Sequence, residues 1–162
     1  MNVQAAENFR AVMRRFPTGV TVVTTVVDGA PKGFTANAFA SVSAEPPMVL
    51  ICVNRRARTH PVISRAGHFC VNILRLDQQW IAERFASHEP LDPFDGIACT
   101  TAKTGSPIFA GALGYLDCDL AEEHSAGTHT VFLGTVLACA AHGGAPLGYF
   151  NAGYRDFGCL IP

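Results

Sequence analysis

Four large apolar residues near the start of the chain recur at positions i, i+3, i+4 and i+7: Phe9, Val12, Met13 and Phe16. This spacing places them on one face of a helix, and it predicts an amphipathic helix over residues 5–15 that ends before Pro17. We expect the apolar face of this helix to cover a sheet, because a one-sided helix is stable when that side is buried.

Apolar and β-branched segments predict strands for most of the remaining chain. Residues 18–27 are almost all Val and Thr, which is typical of a buried strand, and the turn residues that follow predict a hairpin. Two short helices are predicted: one begins after Thr59, whose side chain would cap it, and the other spans residues 78–85. Further strands are predicted at residues 48–53, 68–74, 97–101, 113–122 and 130–141. Short strands with few helices favour a closed antiparallel barrel over a sandwich.

A row of small polar residues follows the predicted hairpin turn. Its members occupy odd positions, so an extended backbone would place them on one face: Thr35, Asn37, Ser41 and Ser43. Hydroxyl and amide groups on such a face suit a flat ligand with polar edges, because they can donate or accept hydrogen bonds. The alternative interpretation is a half-exposed strand whose polar residues simply face water.

The most cationic short segment of the chain spans residues 54–61. It contains Arg55, Arg56 and Arg58 and runs into the helix predicted after Thr59. Free backbone N–H groups at a helix start, together with nearby arginines, predict an anion site, and phosphate is the anion that we expect there. Alternatively, these arginines are solvated surface residues. Residues 87–96 are predicted to form a loop long enough to cover a site.

The composition is that of a folded protein with little net charge. Its 162 residues are expected to form one domain over residues 1–162, and 49% of them are hydrophobic. Only 15% are charged and the formal net charge is -1, which leaves no basic excess for binding nucleic acid or an anionic membrane. A fairly apolar surface fits an oligomer. No Gly-x-Gly-x-x-Gly motif follows a strand, so a dinucleotide would not be held as in a Rossmann fold.

The six cysteines lack the spacing of a metal or redox site. They are scattered, without a Cys-x-x-Cys pair or a histidine at ligand spacing, and most lie in apolar runs. We therefore expect reduced thiols, no metal and a cytoplasmic protein. The N-terminal segment has no apolar region typical of a signal peptide, and no apolar stretch is long enough to span a bilayer.

Six motifs, which occur in the same order as in the family, resemble those of the short-chain flavin reductases. These proteins belong to the flavin reductase-like family, which has the FMN-binding split-barrel fold. The resemblance extends from about residue 9 to about residue 157. The motifs are Phe16-Pro17-Thr18-Gly19-Val20, Gly33-Phe34-Thr35-Ala36-Asn37, Ser41-Val42-Ser43 with Pro46-Pro47, Cys52-Val53-Asn54-Arg55, Phe69-Cys70-Val71-Asn72-Ile73-Leu74 and Gly127-Thr128-His129-Thr130-Val131-Phe132-Leu133-Gly134.

This resemblance implies a mainly β, antiparallel, Greek-key-like split barrel that forms a homodimer. It also implies an NAD(P)H:flavin oxidoreductase of the EC 1.5.1 type. Such an enzyme uses NADH or NADPH to reduce FMN or FAD, and it passes the reduced flavin to a flavin-dependent monooxygenase partner. Hydride transfer is the chemistry of the two cofactors, so the lack of paired carboxylates does not argue against an enzyme.

The resemblance also implies roles for particular positions. Those that would hold the flavin ring edge and ribityl chain are Thr35, Ala36, Asn37, Ser41, Val42 and Ser43. Those that would contact the rest of the ring edge and the phosphate are Cys52, Val53, Asn54, Arg55, Arg58 and Thr59. Ser87 would contact the flavin tail. His129 would lie over the ring with the nicotinamide, helped by Gly153 and Tyr154.

One position departs from the family pattern. Thr128 precedes His129 where the family usually has an aspartate, so this side chain can form hydrogen bonds but supplies no charge. Alternatively, His129 is a core or surface histidine, and Tyr149 and Tyr154 pack the barrel end or the dimer interface. The second functional hypothesis is a flavin- or haem-binding carrier or sensor without reductase turnover, and a third is an interaction module that binds no flavin.

Overall fold

The computed structural model describes residues 3–87 and 92–157. These residues form a mainly β, antiparallel structure with three short helices, which confirms the predicted class. The helices are α1 (Val3–Met13), α2 (His60–Ala66) and α3 (Gln79–Ala86), and a 3-10 turn (Leu76–Gln78) directly precedes α3. No helix in this part of the chain is long and apolar enough to cross a membrane.

Twelve strands are found among the described residues, and most lie where the sequence predicts them. They are β1 (Thr18–Gly19), β2 (Thr21–Val27), β3 (Ala30–Ala36), β4 (Phe39–Ala44), β5 (Pro47–Asn54), β6 (His68–Ile73), β7 (Cys99–Thr100), β8 (Ile108–Phe109), β9 (Gly114–Ala126), β10 (His129–Ala141), β11 (Leu147–Phe150) and β12 (Gly153–Asp156). The predicted loop at 87–96 lies partly outside the described residues.

Seven strands form the main sheet, in the order β3-β2-β6-β9-β10-β5-β4, with antiparallel pairing throughout. The two edge strands, β3 and β4, are consecutive in the chain and are joined by only Asn37 and Ala38. Two residues span no more than about 11 Å between the flanking Cα atoms. The sheet therefore curves so that its two edge strands approach each other at this end.

The Val- and Thr-rich segment at residues 18–27 was predicted to be one strand. In the structure it forms two strands that belong to different sheets. β1 pairs with β11 in a three-stranded sheet of order β1-β11-β12, whereas β2 joins the main sheet. At the junction, the Val20 N–H donates to the Leu147 carbonyl and the Val20 carbonyl accepts from the Leu74 N–H. The strand propensity of each residue is the same in both sheets, so composition alone does not reveal this change of partner.

Two apolar clusters stabilise this arrangement. One lies within the curved main sheet and includes Ile51, Phe69 and Phe132, and the other lies beneath α3 and includes Phe85 and Phe109. Both clusters draw on strands whose residues the sequence predicts to be buried. Their position leaves the ends of β3, β5 and β10 free to carry polar groups.

Helix α1 does not cover a sheet within one chain, so that prediction is wrong. The helix buries none of its residues, and the exposed fractions of Phe9, Val12 and Phe16 are 65%, 67% and 64%. One hydrogen bond holds its end to the β11–β12 turn, from the Asn151 N–H to the Arg14 carbonyl. The apolar face is present as predicted, but nothing among the described residues covers it.

Candidate functional site

Polar residues from two motifs meet where β5 ends and β10 begins. Asn54 and His129 are directly opposite each other in this antiparallel pair. The Asn54 side-chain oxygen accepts a hydrogen bond from the Arg56 N–H at 2.9 Å, which shapes the cationic loop that follows. Asn54 and Arg55 are exposed and His129 is half-buried, so these polar groups remain accessible.

Arg55 ties this loop to the turn between β9 and β10. Its backbone N–H donates to the Thr128 carbonyl at 3.0 Å, and its guanidinium donates to the Gly127 carbonyl. Gly127 has a φ of 58°, a left-handed conformation that glycine adopts readily in a tight turn. Two motifs far apart in sequence are thereby fixed against each other.

The side chain of Thr128 contacts the neighbouring histidine. Its Oγ1 lies 3.0 Å from Nδ1 of His129, within hydrogen-bond distance. A hydroxyl can donate to or accept from this nitrogen, so it can fix the ring orientation without adding charge. The imidazole of His129 therefore has an orienting contact from a side chain that carries no charge.

Arg58 and Thr59 lie beyond this group, at the start of α2. Thr59 is the residue that precedes the helix, as predicted, and its carbonyl accepts hydrogen bonds from the Val62 and Ile63 N–H groups. Its side chain makes no capping hydrogen bond, contrary to the prediction of a side-chain cap. Arg58 is exposed, which leaves its guanidinium accessible to an anion.

Ala36, Cys52 and Val53 lie between these groups and can offer mainly backbone atoms. Ala36 and Val53 are buried in the apolar cluster within the sheet. The Cys52 N–H donates to the Ala38 carbonyl at 3.0 Å, which holds the β3–β4 link beside β5. Burial raises the pKa of the half-buried Cys52 thiol, so this side chain is a neutral thiol at neutral pH.

A cavity of about 210 Å³ lies between the end of β3, the end of α3 and the β11–β12 hairpin. It is lined by Val20, Thr35, Asn37, Ala86, Tyr149 and Tyr154. The Thr35 hydroxyl donates to the Ala82 carbonyl of α3 at 2.6 Å. Its only hydrogen is thus already used, so Thr35 can only accept hydrogen bonds from a ligand.

The two tyrosines of this cavity form a cross-strand pair. Their ring centroids are 5.8 Å apart and the rings are inclined by 68°. Burial, followed by the charge of Glu83 and the neighbouring Tyr149, raises the pKa of Tyr154, which keeps its phenol protonated at neutral pH. The sequence indicates an aromatic tail here, but it does not show that β11 and β12 pair with β1 beside Thr35.

Ser41, Val42 and Ser43 lie away from the other predicted site residues along the sheet edge. Ser41 pairs with Val49 of β5, and Val42 occupies a bulge between Ser41 and Ser43. Val49 is five residues before Asn54, a distance of about 16 Å along a strand. The Ser43 hydroxyl accepts from the Glu45 N–H at 3.2 Å, whereas Ser41 and Val42 are exposed.

Ser87 ends α3 and is exposed, directly after Ala86 of the cavity wall. Gly153 and Tyr154 lie on β12, and His129 lies on β10 of the main sheet. The structure therefore distributes the predicted residues over three regions: the Asn54–His129 group, the tyrosine cavity and the β4 edge. Within residues 3–87 and 92–157, no cluster of three or more His, Cys, Asp or Glu side chains could hold a metal ion.

A curved antiparallel sheet with arginines, a histidine and an aromatic cavity at its rim suits a planar, anionic ligand. Residues 13–158 match the model of the flavin reductase-like domain, which is most of the chain. The protein therefore belongs to the flavin reductase-like domain family, as its sequence motifs predict.

Curated relatives and a solved structure agree with this assignment. The chain is 46% identical over 128 residues to the flavin-dependent monooxygenase reductase subunit HsaB of Rhodococcus jostii, an alignment that covers 79% of this chain and 65% of that protein. The chain thus spans slightly less than two thirds of that relative. It is 36% identical over 152 residues to the FMN reductase (NADH) SmoA of Agrobacterium fabrum. This alignment covers 94% of this chain and 86% of SmoA. Its fold is similar to the solved structure of the NADH:FAD oxidoreductase SgcE6 of Streptomyces globisporus, with a TM-score of 0.90 and 36% sequence identity. The superposition covers 97% of this chain and 96% of SgcE6.

Proposed function

We propose that this protein is an NAD(P)H:flavin oxidoreductase that reduces FMN or FAD and supplies reduced flavin to a partner monooxygenase. The family match covers residues 13–158, and the relatives include reductases named for FMN, for FAD and for NADH. One relative is named as the reductase subunit of a flavin-dependent monooxygenase, which supports an oxygenase partner.

One observation in the structure carries this proposal. The hydrogen bonds from Arg55 to Gly127 and Thr128 hold the cationic loop against the histidine turn. A phosphorylated flavin needs an anion-binding group and polar groups for its ring edge, and these bonds hold one candidate for each next to the other, which supports the proposal. Neither motif alone would provide such a site.

The residues present fit a flavin phosphate and ring edge. Exposed Arg55 and Arg58 can bind a phosphate with charge-assisted hydrogen bonds. Asn54 offers an exposed amide, and the backbone beside Cys52 and Asn37 provides further polar groups. The nicotinamide supplies a hydride and the flavin accepts it, so the protein must orient the rings and exclude water.

His129 is the residue that we assign to the nicotinamide side of the site. Thr128 fixes one of its ring nitrogens, so the imidazole can present its other nitrogen to a substrate. Gly153 and Tyr154 would complete this side from the β11–β12 hairpin. We assign Ser87 to the flavin tail and the β4 residues Ser41, Val42 and Ser43 to the ribityl chain.

We also propose a single split-barrel domain that forms a homodimer in the cytoplasm. The close approach of β3 and β4 at their two-residue link supports a barrel, and the exposed apolar residues of α1 support a second copy that covers them. The five described cysteines are free thiols, which fits a reducing compartment. Sedimentation velocity tests the dimer, and a monomer at micromolar concentration would contradict it.

The first experiment is anaerobic oxidation of NADH and of NADPH by the purified protein, with FMN, with FAD and without added flavin. Turnover that requires added flavin is expected, and it would identify the preferred donor and acceptor in one series. Failure of every pair, with a yellow protein that binds flavin, would overturn the reductase and favour the carrier or sensor. Failure of every pair without flavin binding would favour the interaction module.

A further inference from the structure

His60 is a half-buried histidine that none of the roles assigned above uses. It is the first residue of α2 and directly follows Arg58 and Thr59, which we assign to the flavin phosphate. Its Nε2 lies 2.8 Å from the hydroxyl oxygen of Thr130 on β10. The two residues are 70 positions apart, so this hydrogen bond joins the end of the cationic loop to the strand that carries His129.

Thr130 and His129 are neighbours on β10, but their side chains lie on opposite faces of the sheet. Thr130 and Phe132 are buried, with exposed fractions of 4% and 0%, whereas His129 is half-buried. His60 contacts both buried residues, since its ring centroid is 5.4 Å from that of Phe132. It therefore supports β10 from the face opposite to His129, and it acts on the site through the residues that it holds.

The cationic loop between β5 and α2 is fixed by hydrogen bonds along its whole length. The Ala57 N–H donates to the Asn54 carbonyl at 2.9 Å, and the His60 N–H donates to the Ala57 carbonyl at 3.1 Å. Arg55 holds the first part of the loop to the β9–β10 turn, and the His60 imidazole holds the last part to β10. Arg58 lies between these two anchors, so the position of its backbone depends on both.

The hydrogen bond between His60 and Thr130 is suited to a lasting anchor. A hydroxyl donates to an unprotonated imidazole nitrogen and accepts from a protonated one, so the contact forms in either state. Because Thr130 is almost fully buried, water cannot readily replace the imidazole as its partner. Breaking the bond is therefore unfavourable, and the loop remains ordered before any ligand binds.

We propose that His60 is a positioning residue for the flavin phosphate: its hydrogen bond to Thr130 holds Arg58 where the anion binds. This proposal rests on the proposed function and adds to it a residue that contacts neither the flavin nor the donor. A loop that is already ordered binds a phosphate more tightly than one that must be ordered, because less conformational entropy is lost on binding. His60 should therefore affect the affinity for phosphorylated flavins.

Flavin binding without a donor, measured by fluorescence quenching, tests this role without turnover. Thr130→Val removes the hydrogen bond with little change of shape, and the half-buried His60 can then bond to water. His60→Phe removes the bond from the other side and keeps a ring against Phe132. We expect either variant to bind FMN about fivefold more weakly and riboflavin less than about twofold more weakly.

His60→Gln should restore FMN affinity to within about twofold of the unmodified protein, since the glutamine carboxamide reaches about as far as Nε2 and can bond to Thr130. If His60→Phe does not fold, Thr130→Val still decides the outcome. Equal losses for FMN and riboflavin, or an unchanged FMN affinity in Thr130→Val, would overturn the proposal.

Ser64→Ala is the matched control on the same helix. The Ser64 hydroxyl donates to the Glu123 carboxylate of β9 at 2.9 Å, so this change also removes a hydrogen bond between α2 and the β9–β10 pair. The bond is exposed and lies beyond the cationic loop. FMN affinity should stay within about twofold. A loss as large as that of Thr130→Val would indicate a general loosening of α2 and overturn the positioning role.

A double-variant cycle shows whether His60 acts through Arg58. If it does, Thr130→Val causes little further loss of FMN affinity once Arg58→Ala is present, whereas additive losses would overturn the proposal. A protein that shows this coupling but oxidises neither NADH nor NADPH would contradict the reductase function and leave the positioning role supported. Rapid turnover with equal affinity for FMN and riboflavin would overturn the positioning role and leave the reductase supported.

Discussion

Two polar regions of this protein differ in how their side chains are used. Asp117 of β9 is fully buried and accepts hydrogen bonds from the Lys103 N–H, the Thr104 N–H and the Thr104 hydroxyl. In the cationic loop that links the Asn54–His129 group to α2, by contrast, Arg55 and Arg58 are exposed. Removing one member of a buried network leaves its partners unsatisfied, whereas an exposed group exchanges its partner for water. The first region should therefore control stability and the second should control binding.

The buried region reaches the candidate site through packing. Asn72 of β6 accepts from the Phe109 N–H at 2.8 Å and donates to the Pro107 carbonyl at 3.2 Å. Phe109 then packs against Phe85 of α3 with ring centroids 5.4 Å apart. The segment at residues 103–109 is thus anchored by buried polar side chains and supports the helix that ends at the tyrosine cavity.

The largest expected effect is the loss of stability in Asp117→Asn. The amide NH2 group replaces one acceptor oxygen and the buried charge is removed, so at least one of the hydrogen bonds from Lys103 and Thr104 to residue 117 is lost and the others weaken. We expect the free energy of unfolding to fall by about 3 kcal/mol in urea titrations. Asp119→Asn is the matched control, since Asp119 is exposed on the same strand and should change stability by less than about 0.5 kcal/mol. Similar losses in both variants would remove the distinction between the two regions.

A catalytic effect without a stability effect is expected for His129→Ala. The kcat for NAD(P)H oxidation should fall about thirtyfold, or about 2 kcal/mol in activation free energy, because the nicotinamide loses its orienting group. Flavin affinity, measured by fluorescence quenching, should change much less. If both quantities fell equally, His129 would be a flavin-site or structural residue. His124→Ala is a suitable control, since His124 is exposed further from the turn on β9.

The phosphate assignment predicts a selective effect of Arg58→Ala. We expect FMN or FAD to bind about tenfold more weakly, or about 1.4 kcal/mol, because one charge-assisted hydrogen bond to the phosphate is lost. Riboflavin lacks the phosphate, so its affinity should be unchanged. An unaltered preference for FMN over riboflavin would show that Arg58 is a solvated surface residue. Arg65→Ala, on the far end of α2, provides a matched loss of charge.

Local patterns predicted the strands well because burial of β-branched residues is a property of short segments. The segments at residues 48–53 and 68–74 correspond to β5 and β6. The helical spacing of Phe9 and Phe16 predicted α1, but periodicity shows only that an apolar face exists and not what covers it. If a second copy of the chain covers this face, the pattern within a single sequence does not reveal it.

Contacts between residues far apart in the sequence could not be predicted from local patterns. Nothing local shows that Asp117 binds the backbone of residues 103–104, or that the Thr35 hydroxyl is used by Ala82. Family motifs identified the candidate residues around Asn54 and His129, and register then brought these two opposite each other. The tyrosine cavity depends on the pairing of β1 with β11, so its lining could be found only in the folded chain.

The smallest expected effect is that of Thr128→Val, which isolates the orienting hydrogen bond at the site. Valine has nearly the shape of threonine but cannot bond to Nδ1 of His129, so the ring loses an orienting contact and keeps its position. We expect kcat to fall about threefold, or about 0.7 kcal/mol, with Thr128→Ser close to the unmodified protein. The free energy of unfolding should be the same in both variants, because Thr128 is exposed. Equal rates for Val and Ser would show that the hydroxyl has no role, and that the histidine is oriented by its strand alone.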